Sequence, residues 1–406
     1  MSNLENVNIQ WQDTGNIDAF GRARVSQVTT QGDFKQLHDN LPLFIDEETI
    51  GTGSAAHSTT EARSQLTTAA ASDAVILQTK QRFYYKSGTS QLIFMTFDNF
   101  QSETKITKRI GYFSSSTTEP FTSDLDGLWL ENDGTDVSIN IYKTGTQIEQ
   151  TDQSSWNIDP LDGSGDSGIK VDWQDNQILI IDFEWLGVGR VRWGLVIDGL
   201  IYYFHESKHA NSTQGVYMSS PNQPLRWEMR QSGAGSGTFN VICSSVNSEG
   251  AINNLGKILS ENLGTTPVNA NSTSNKYALL GIRLQTAKVD TLVDLINYSI
   301  LSETNDNQLI EFWLNPTVAG LFTFTSVTNS SVQIAKGAAN GSNTVTGGTL
   351  LYSRYITSQD ATPVNLENAI RLGMAIDGTL DEIVITCNPL SSNSDVLASI
   401  DWRELT

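Results

Sequence analysis

Basic residues, cysteines and long apolar runs are what this chain has least of. Lysine and arginine number 25 against 45 aspartates and glutamates, a net charge of −20 at pH 7 and a pI near 4.5. So acidic a surface repels phosphate backbones and excludes nucleic acid as a partner held by a basic footprint. The two cysteines, Cys243 and Cys387, lie far apart in apolar strand-like runs. They do not make a disulfide scaffold and read as small buried thiols, consistent with assembly in a reducing cytosol. No apolar run approaches the ~18–20 residues that span a bilayer. The opening MSNLENVNIQWQD carries no basic segment followed by an apolar one, so neither a membrane nor a secretory signal is expected. Charged residues make up only 17%; Ser, Thr, Asn, Gln and Gly carry the polarity, as on extended β-rich surfaces of assembled proteins.

What is present is β-pattern. Residues 1–70 show no helical period and read as an extended N-terminal arm. From Ala74 to Val246 short apolar or alternating runs recur, punctuated by Asn132–Gly134, Asp162-Gly163 and Ser232–Gly237. Many short strands separated by turn residues predict an antiparallel β-sandwich or jelly-roll, lectin-like, over 71–255. Residues 256–275 lose aromatics and gain Asn, Ser and Thr, which suggests a linker. A second, smaller β domain is expected over 276–406, with runs at Leu321–Val327 and Arg371–Ile376 among its strands. Helical pattern is scarce; Val364–Leu372 is the best short candidate.

The stretch Phe183–His209 supports two incompatible readings. Asp198-Gly199 between apolar runs is a strong hairpin signal, since a type I′ turn needs positive φ at both central residues. The register that follows sets Leu195 against Tyr202, Trp193 against Phe204 and Arg192 against His205. It places Trp193 on a core face and Arg192 on a mixed one. The same stretch ends in His205-Glu206-Ser207-Lys208-His209, the H-E-x-x-H string of zinc proteases. That string works on a helix, where i and i+4 stack. On a strand the two imidazoles stand roughly 13 Å apart, at about 3.3 Å per residue, too far for one ion. The string is therefore read as coincidental, with no metal, catalytic residue or cofactor assigned.

Other chemistry is weaker. The acidic groups Asp124, Asp126, Glu131, Asp133, Asp136 and Asp159, Asp162, Asp166, Asp172 contain enough oxygens for calcium, but Asp and Gly also belong in turns. Glu184 beside Trp185 and Glu228 beside Trp227 are the carboxylates to inspect for a glycosidase pair. Gly187-Val188-Gly189 lacks the third glycine of a dinucleotide loop, and no nucleophile elbow is found.

Asn16–Ser26 (NIDAFGRARVS) resembles the opening of a family of tailed-bacteriophage virion proteins, with Ala23 where that pattern has leucine. The resemblance continues at Arg82–Tyr85, Gly88–Leu92, Leu161–Gly165 and Tyr217–Arg226. It is strongest over Asp182–Gly199 (DFEWLGVGRVRWGLVIDG), and Ser326–Ser331 and Val345–Gly348 extend it into the second half. It implies a non-enzymatic structural component of a virion, capsid-associated as a decoration or minor capsid protein and assembled in the host cytoplasm. Its partners would be other virion proteins and further copies of itself, a trimer by analogy with phage assemblies. The alternative is a tail-associated receptor-binding or fibre protein recognising host surface glycans, for which Trp185 and Trp129 are the candidate contacts.

Overall fold

The structure, a computed structural model, describes residues 17–212, 214–250, 256–304, 306–357, 364–365, 371–391 and 393–406. Among the described residues helix is confined to two single 3-10 turns, Gln153–Ser155 and Thr286–Lys288. Every strand pairing is antiparallel. The chain divides into two compact units, one of residues 1–79 and 85–253, the other of 80–84 and 254–406.

The first unit is a β-sandwich. Its eight-stranded sheet runs Leu200–Ser207, Val191–Ile197, Gln177–Phe183, Gln91–Asp98, Gly237–Glu249, Arg63–Thr68, Ser54–Ser58, with Val28–Lys35 paired to Gly237–Glu249. Its seven-stranded sheet runs Thr146–Asp152, Val137–Lys143, Asp124–Asn132, Ile106–Ser115, Leu225–Gln231, Ala74–Thr79, Ile45–Ile50. Inward residues alternate as period two requires, and central strands such as Ala74–Thr79 are buried throughout. Tyr112 of one sheet packs against Phe183 of the other with ring centroids 5.7 Å apart. The edge strand Ile45–Ile50 carries Asp46, Glu47 and Glu48, charges that discourage edge-to-edge pairing.

The second unit is built the same way. Its five-stranded sheet runs Lys257–Asn262, Ser394–Leu405, Leu292–Ser302, Val364–Asn365, with Val268–Ala270 also paired to Ser394–Leu405. It faces a six-stranded sheet, Thr325–Ser326, Val332–Lys336, Tyr277–Leu284, Glu382–Pro389, Gln308–Leu314, Thr349–Ile356. Tyr298 and Phe312 meet edge to face across the two, 4.8 Å between centroids. Trp402, fully buried, lies in this core.

Four expectations change. Residues 28–68 are not an extended arm: they supply four strands, whose Ser, Thr and Gln side chains suit sheet edges and outer faces. The stretch expected as a linker holds the strands Lys257–Asn262 and Val268–Ala270, fixed by ladder bonds to a strand more than a hundred residues later. Val364–Asn365 is strand and not helix; residues 366–370 lie outside those described. Of the runs at Leu321–Val327 and Arg371–Ile376, only Thr325–Ser326 and an isolated bridge at Met374 pair.

Candidate functional site

The hairpin forms with its I′ turn: φ is 52° at Asp198 and 79° at Gly199. Leu195 faces Tyr202 as expected, but the register then shifts by one residue, so Trp193 faces His205 and Arg192 faces Glu206. Phe204 is the extra residue of this bulge. Its ring stacks on Trp156 at 3.9 Å, and its carbonyl, released from the ladder, accepts the amides of Ile158 and Asp159 at 3.1 Å each. Those partners lie more than forty residues upstream, so nothing local announces the bulge.

The H-E-x-x-H residues are held apart by separate tasks. His205 lies within the strand; its Nδ1 accepts the Asn157 amide at 3.2 Å, so Nε2 carries the proton and donates to Glu149 at 3.0 Å. His209 lies beyond the strand end, where its Nδ1 donates to the Gly189 carbonyl at 2.8 Å and its ring stacks on Tyr217 at 4.2 Å. Burial lowers the His209 pKa below its ordinary value. Glu206 pairs with Arg190 at 3.1 Å.

Arg192 is fully buried, because residues 17–24 cover its face of the sheet. It pairs with fully buried Asp182, which also takes Arg24, the Ser90 hydroxyl and, at 2.8 Å, the Tyr203 hydroxyl. Arg24 reaches Glu249 at 2.9 Å and Arg190 donates to the Ala19 carbonyl at 3.0 Å. Trp193 is fully buried beside them, its indole donating to Ser207 at 3.3 Å.

Glu184 and Glu228 stand in different surroundings and do not form a pair. Glu184 follows a strand of the eight-stranded sheet, accepts the Arg190 amide at 3.1 Å and has its pKa raised by burial. Glu228, on the seven-stranded sheet, is fully buried between Arg226 and Arg230. Burial alone would raise its carboxyl, but Arg230, Arg226 and Arg109 outweigh it and hold the pKa below the ordinary value. Glu131 and Asp124 pair with Arg109 beside it. A general acid must carry a proton near neutrality, and a Glu228 clamped by guanidinium groups does not. Nor do the acidic groups converge. Asp126 accepts from Ser219, while Asp133, Asp159, Asp162 and Asp172 accept amides of their own turns. Among the described residues no cluster of three or more His, Cys, Asp or Glu is arranged to hold a metal.

Opposed burial and pairing make the fold acid-sensitive. Glu149, Glu228 and Glu404 all lie below their ordinary value of 4.5, each against the pull of burial: Glu149 through His205, Glu228 through arginines, Glu404 through Ser330 and Trp402. A carboxyl whose folded pKa is depressed stabilises fully above its unfolded value and loses that contribution as pH falls through the folded one. Glu184 and Glu249, raised by burial, run the opposite way. Urea midpoints are therefore expected to fall steeply below about pH 4.5. Glu228→Gln should flatten that slope, and an unchanged slope would contradict the assignment.

An open recess of the first unit lies where the chain passes from one sheet to the other. Beyond Lys35 the backbone leaves the eight-stranded sheet and enters the seven-stranded one at Ile45. The crossing is pinned at three points. Asp39 caps the Leu41 amide at 2.8 Å, Ser64 donates to Gln36 at 2.8 Å and Asn40 at 2.6 Å, and His57 Nε2 donates to the Gln36 carbonyl at 2.8 Å. Leu41, at φ 56°, turns the chain. The result is a cleft of about 620 Å³ with buried Ile45 and Leu77 as floor. His38, Asp39, Asn40, Pro42, Asp46, Glu47 and His57 form its walls, with no lysine or arginine among them. A fixed apolar floor rimmed by acceptors is the composition of a small-molecule site. Sequence reading missed it because residues 36–57 look like loop; the Asp39-Asn40 pair before Pro42 is the only local signal. Trp129 is fully buried and cannot contact a ligand, whereas Trp185 is half-buried with its indole donating to Met218.

No protein-family model matches the chain, and no curated protein does. Among solved structures it is similar to the Bacillus licheniformis β-glucanase, at 12% identity and TM-score 0.36, covering 54% of this chain and 99% of that one. It is similar also to a legume lectin-like domain from Entamoeba histolytica, at 10% identity and TM-score 0.34, covering 54% and 98%. The exoplasmic/lumenal domain of VIP36 in its Ca2+/Man3GlcNAc-bound form gives 11% identity and TM-score 0.34, covering 54% and 89%. The antiparallel β-sandwich rests on the chain's own sheet order and pairing.

Proposed function

We propose that this chain is a non-enzymatic component of a tailed-phage particle whose first sandwich binds host surface glycans. The observation that carries the glycan reading is the cleft at residues 38–57. Its exposed Pro42 offers an apolar contact to the CH groups of a sugar ring, and its acceptors suit hydroxyl donors. Three carboxylates and no lysine or arginine in its lining favour neutral or amino sugars over acidic ones. Support for a binding role over hydrolysis comes from Glu228, Glu131 and Asp124, all neutralised by arginines. The particle reading is supported by the resemblance. Two of its stretches, 158 residues apart at Arg24 and Asp182, meet in one buried ion cluster.

The test is a glycan array probed with the intact protein, alongside Glu47→Ala and His38→Ala, both exposed positions that folding does not need. Binding of neutral or amino-sugar glycans is expected, weakened tenfold or more in each variant. A silent array would remove the glycan reading. Should labelling then place the protein on the head of intact virions, decoration becomes the better reading. The edge strand Thr349–Ile356, with Leu350 45% and Tyr355 69% exposed, is then the surface through which copies would add strand to strand.

A further inference from the structure

The second unit contains a recess of its own. The six-stranded sheet has a glycine, Gly281, where a Cβ would stand 2.7 Å from the Phe322 ring and 3.0 Å from that of Phe324. The missing side chain lets both rings approach the sheet closely, and they meet edge to face with centroids 5.6 Å apart. Residues 319–321, which deliver the rings, are locked by Asn343. This buried side chain donates to the carbonyls of Ala319 at 2.8 Å and Leu321 at 3.1 Å, and accepts the Ala338 amide at 2.8 Å. Gly320, at φ +72°, completes the turn. The segment is thus pre-formed, and yet it ends in a Leu321 that is 85% exposed and two half-buried aromatic rings.

Beside the rings stands a polar pair. The Arg283 guanidinium lies 4.2 Å over the Phe324 ring, donates from Nε to Gln333 at 2.8 Å and from Nη1 to Glu382 at 2.7 Å. Both side chains remain partly open, 29% and 27% exposed. These rings and this pair line a cleft of about 390 Å³, together with Pro316, Val318 and Thr323. That volume falls in the range of small-ligand sites, and its exposed lining is more polar than apolar.

We propose that this cleft is a second saccharide site, for a neutral pyranose. The half-buried rings offer apolar contact to the CH groups of the sugar. Arg283 and Glu382 present a donor and an acceptor side by side, the arrangement that two adjacent hydroxyls satisfy. Their charges cancel, so the pair confers no preference for an anion. The site shares no residue with the cleft of the first unit and stands or falls separately from it.

Saturation-transfer NMR on the full chain tests this, with the methyl β-glycosides of glucose, galactose and N-acetylglucosamine as probes. At least one should show saturation transfer that falls fivefold or more in Phe324→Leu and in Glu382→Gln, with far-UV spectra unchanged. The comparison is made in the Glu47→Ala background, which silences the first cleft, and Asp33→Ala, whose exposed carboxylate lines neither cleft, should leave the signal intact. No transfer from any of the three probes, or transfer that Phe324→Leu and Glu382→Gln leave unaltered, would overturn the proposal. Loss on Glu47→Ala alone would assign all binding to the first cleft and overturn it equally.

Discussion

Asp182→Ala is expected to destabilise the first unit by about 3–5 kcal/mol, the cost of leaving a buried charge without its partner. Asp182 and Arg192 are both fully buried, and Arg24 is only 15% exposed. Removing the carboxylate takes the ion-pair partner from Arg192, leaves Arg24 with Glu249 alone, and takes an acceptor from the Tyr203 and Ser90 hydroxyls. Urea unfolding should show the loss as a lower midpoint with an unchanged slope. The paired replacement Asp182→Leu with Arg192→Met should recover much of it, because two apolar side chains have no desolvation penalty to offset. Asp33→Ala is the control: that carboxylate and Lys35 are 48% and 55% exposed, and such a pair contributes at most about 1 kcal/mol. An Asp182→Ala midpoint within error of the parent would mean that the buried cluster does not hold residues 17–24 on the sheet.

The second large effect belongs to Trp402→Ala, with an expected loss of about 3–5 kcal/mol from the second unit. Trp402 is fully buried, opposite Leu259 on one neighbouring strand and Leu295 on the other. Its indole donates to Glu404 at 2.9 Å, so truncation opens a cavity and also removes one of the donors that hold a buried carboxylate. Trp402→Phe separates the two contributions, since it keeps most of the volume and forfeits the hydrogen bond, at about 1 kcal/mol. Equal losses in the two variants would contradict a cavity-dominated cost.

The sandwich class was legible because the strongest signals were local. Alternation over Val191–Ile197 and Leu200–Ser207 and the Asp-Gly pair act within a few residues, and the turn forms as they dictate. The H-E-x-x-H string was read as coincidence on strand spacing alone, and the partners of His205 and His209 show what each imidazole does instead. What stayed hidden depends on distant chain. The bulge at Phe204 exists because Trp156 and the amides at 158–159 await it. Arg192 looked half-solvated because nothing in its own strand shows that residues 17–24 cover it. Lys257–Asn262 reads as a polar linker until Ser394–Leu405 supplies its ladder. Both clefts escaped notice for the same reason: their walls come from crossings and loops, where polar composition looks the same whether it binds a ligand or only water.

The strand Gly237–Glu249 also governs when the first unit can fold. It is the last of that unit's strands in sequence, yet it sits inside the eight-stranded sheet, joining Arg63–Thr68 and Val28–Lys35 to Gln91–Asp98. The Arg24–Glu249 contact closes a separation of 225 residues. During synthesis the half-sheets therefore wait, with ladder groups unpaired, until residue 249 has left the ribosome. Such non-local closure is slow, and an acidic chain that repels its own copies is protected through that delay. The net charge of −20 then acts as a safeguard for the nascent protein as well as a property of the finished surface.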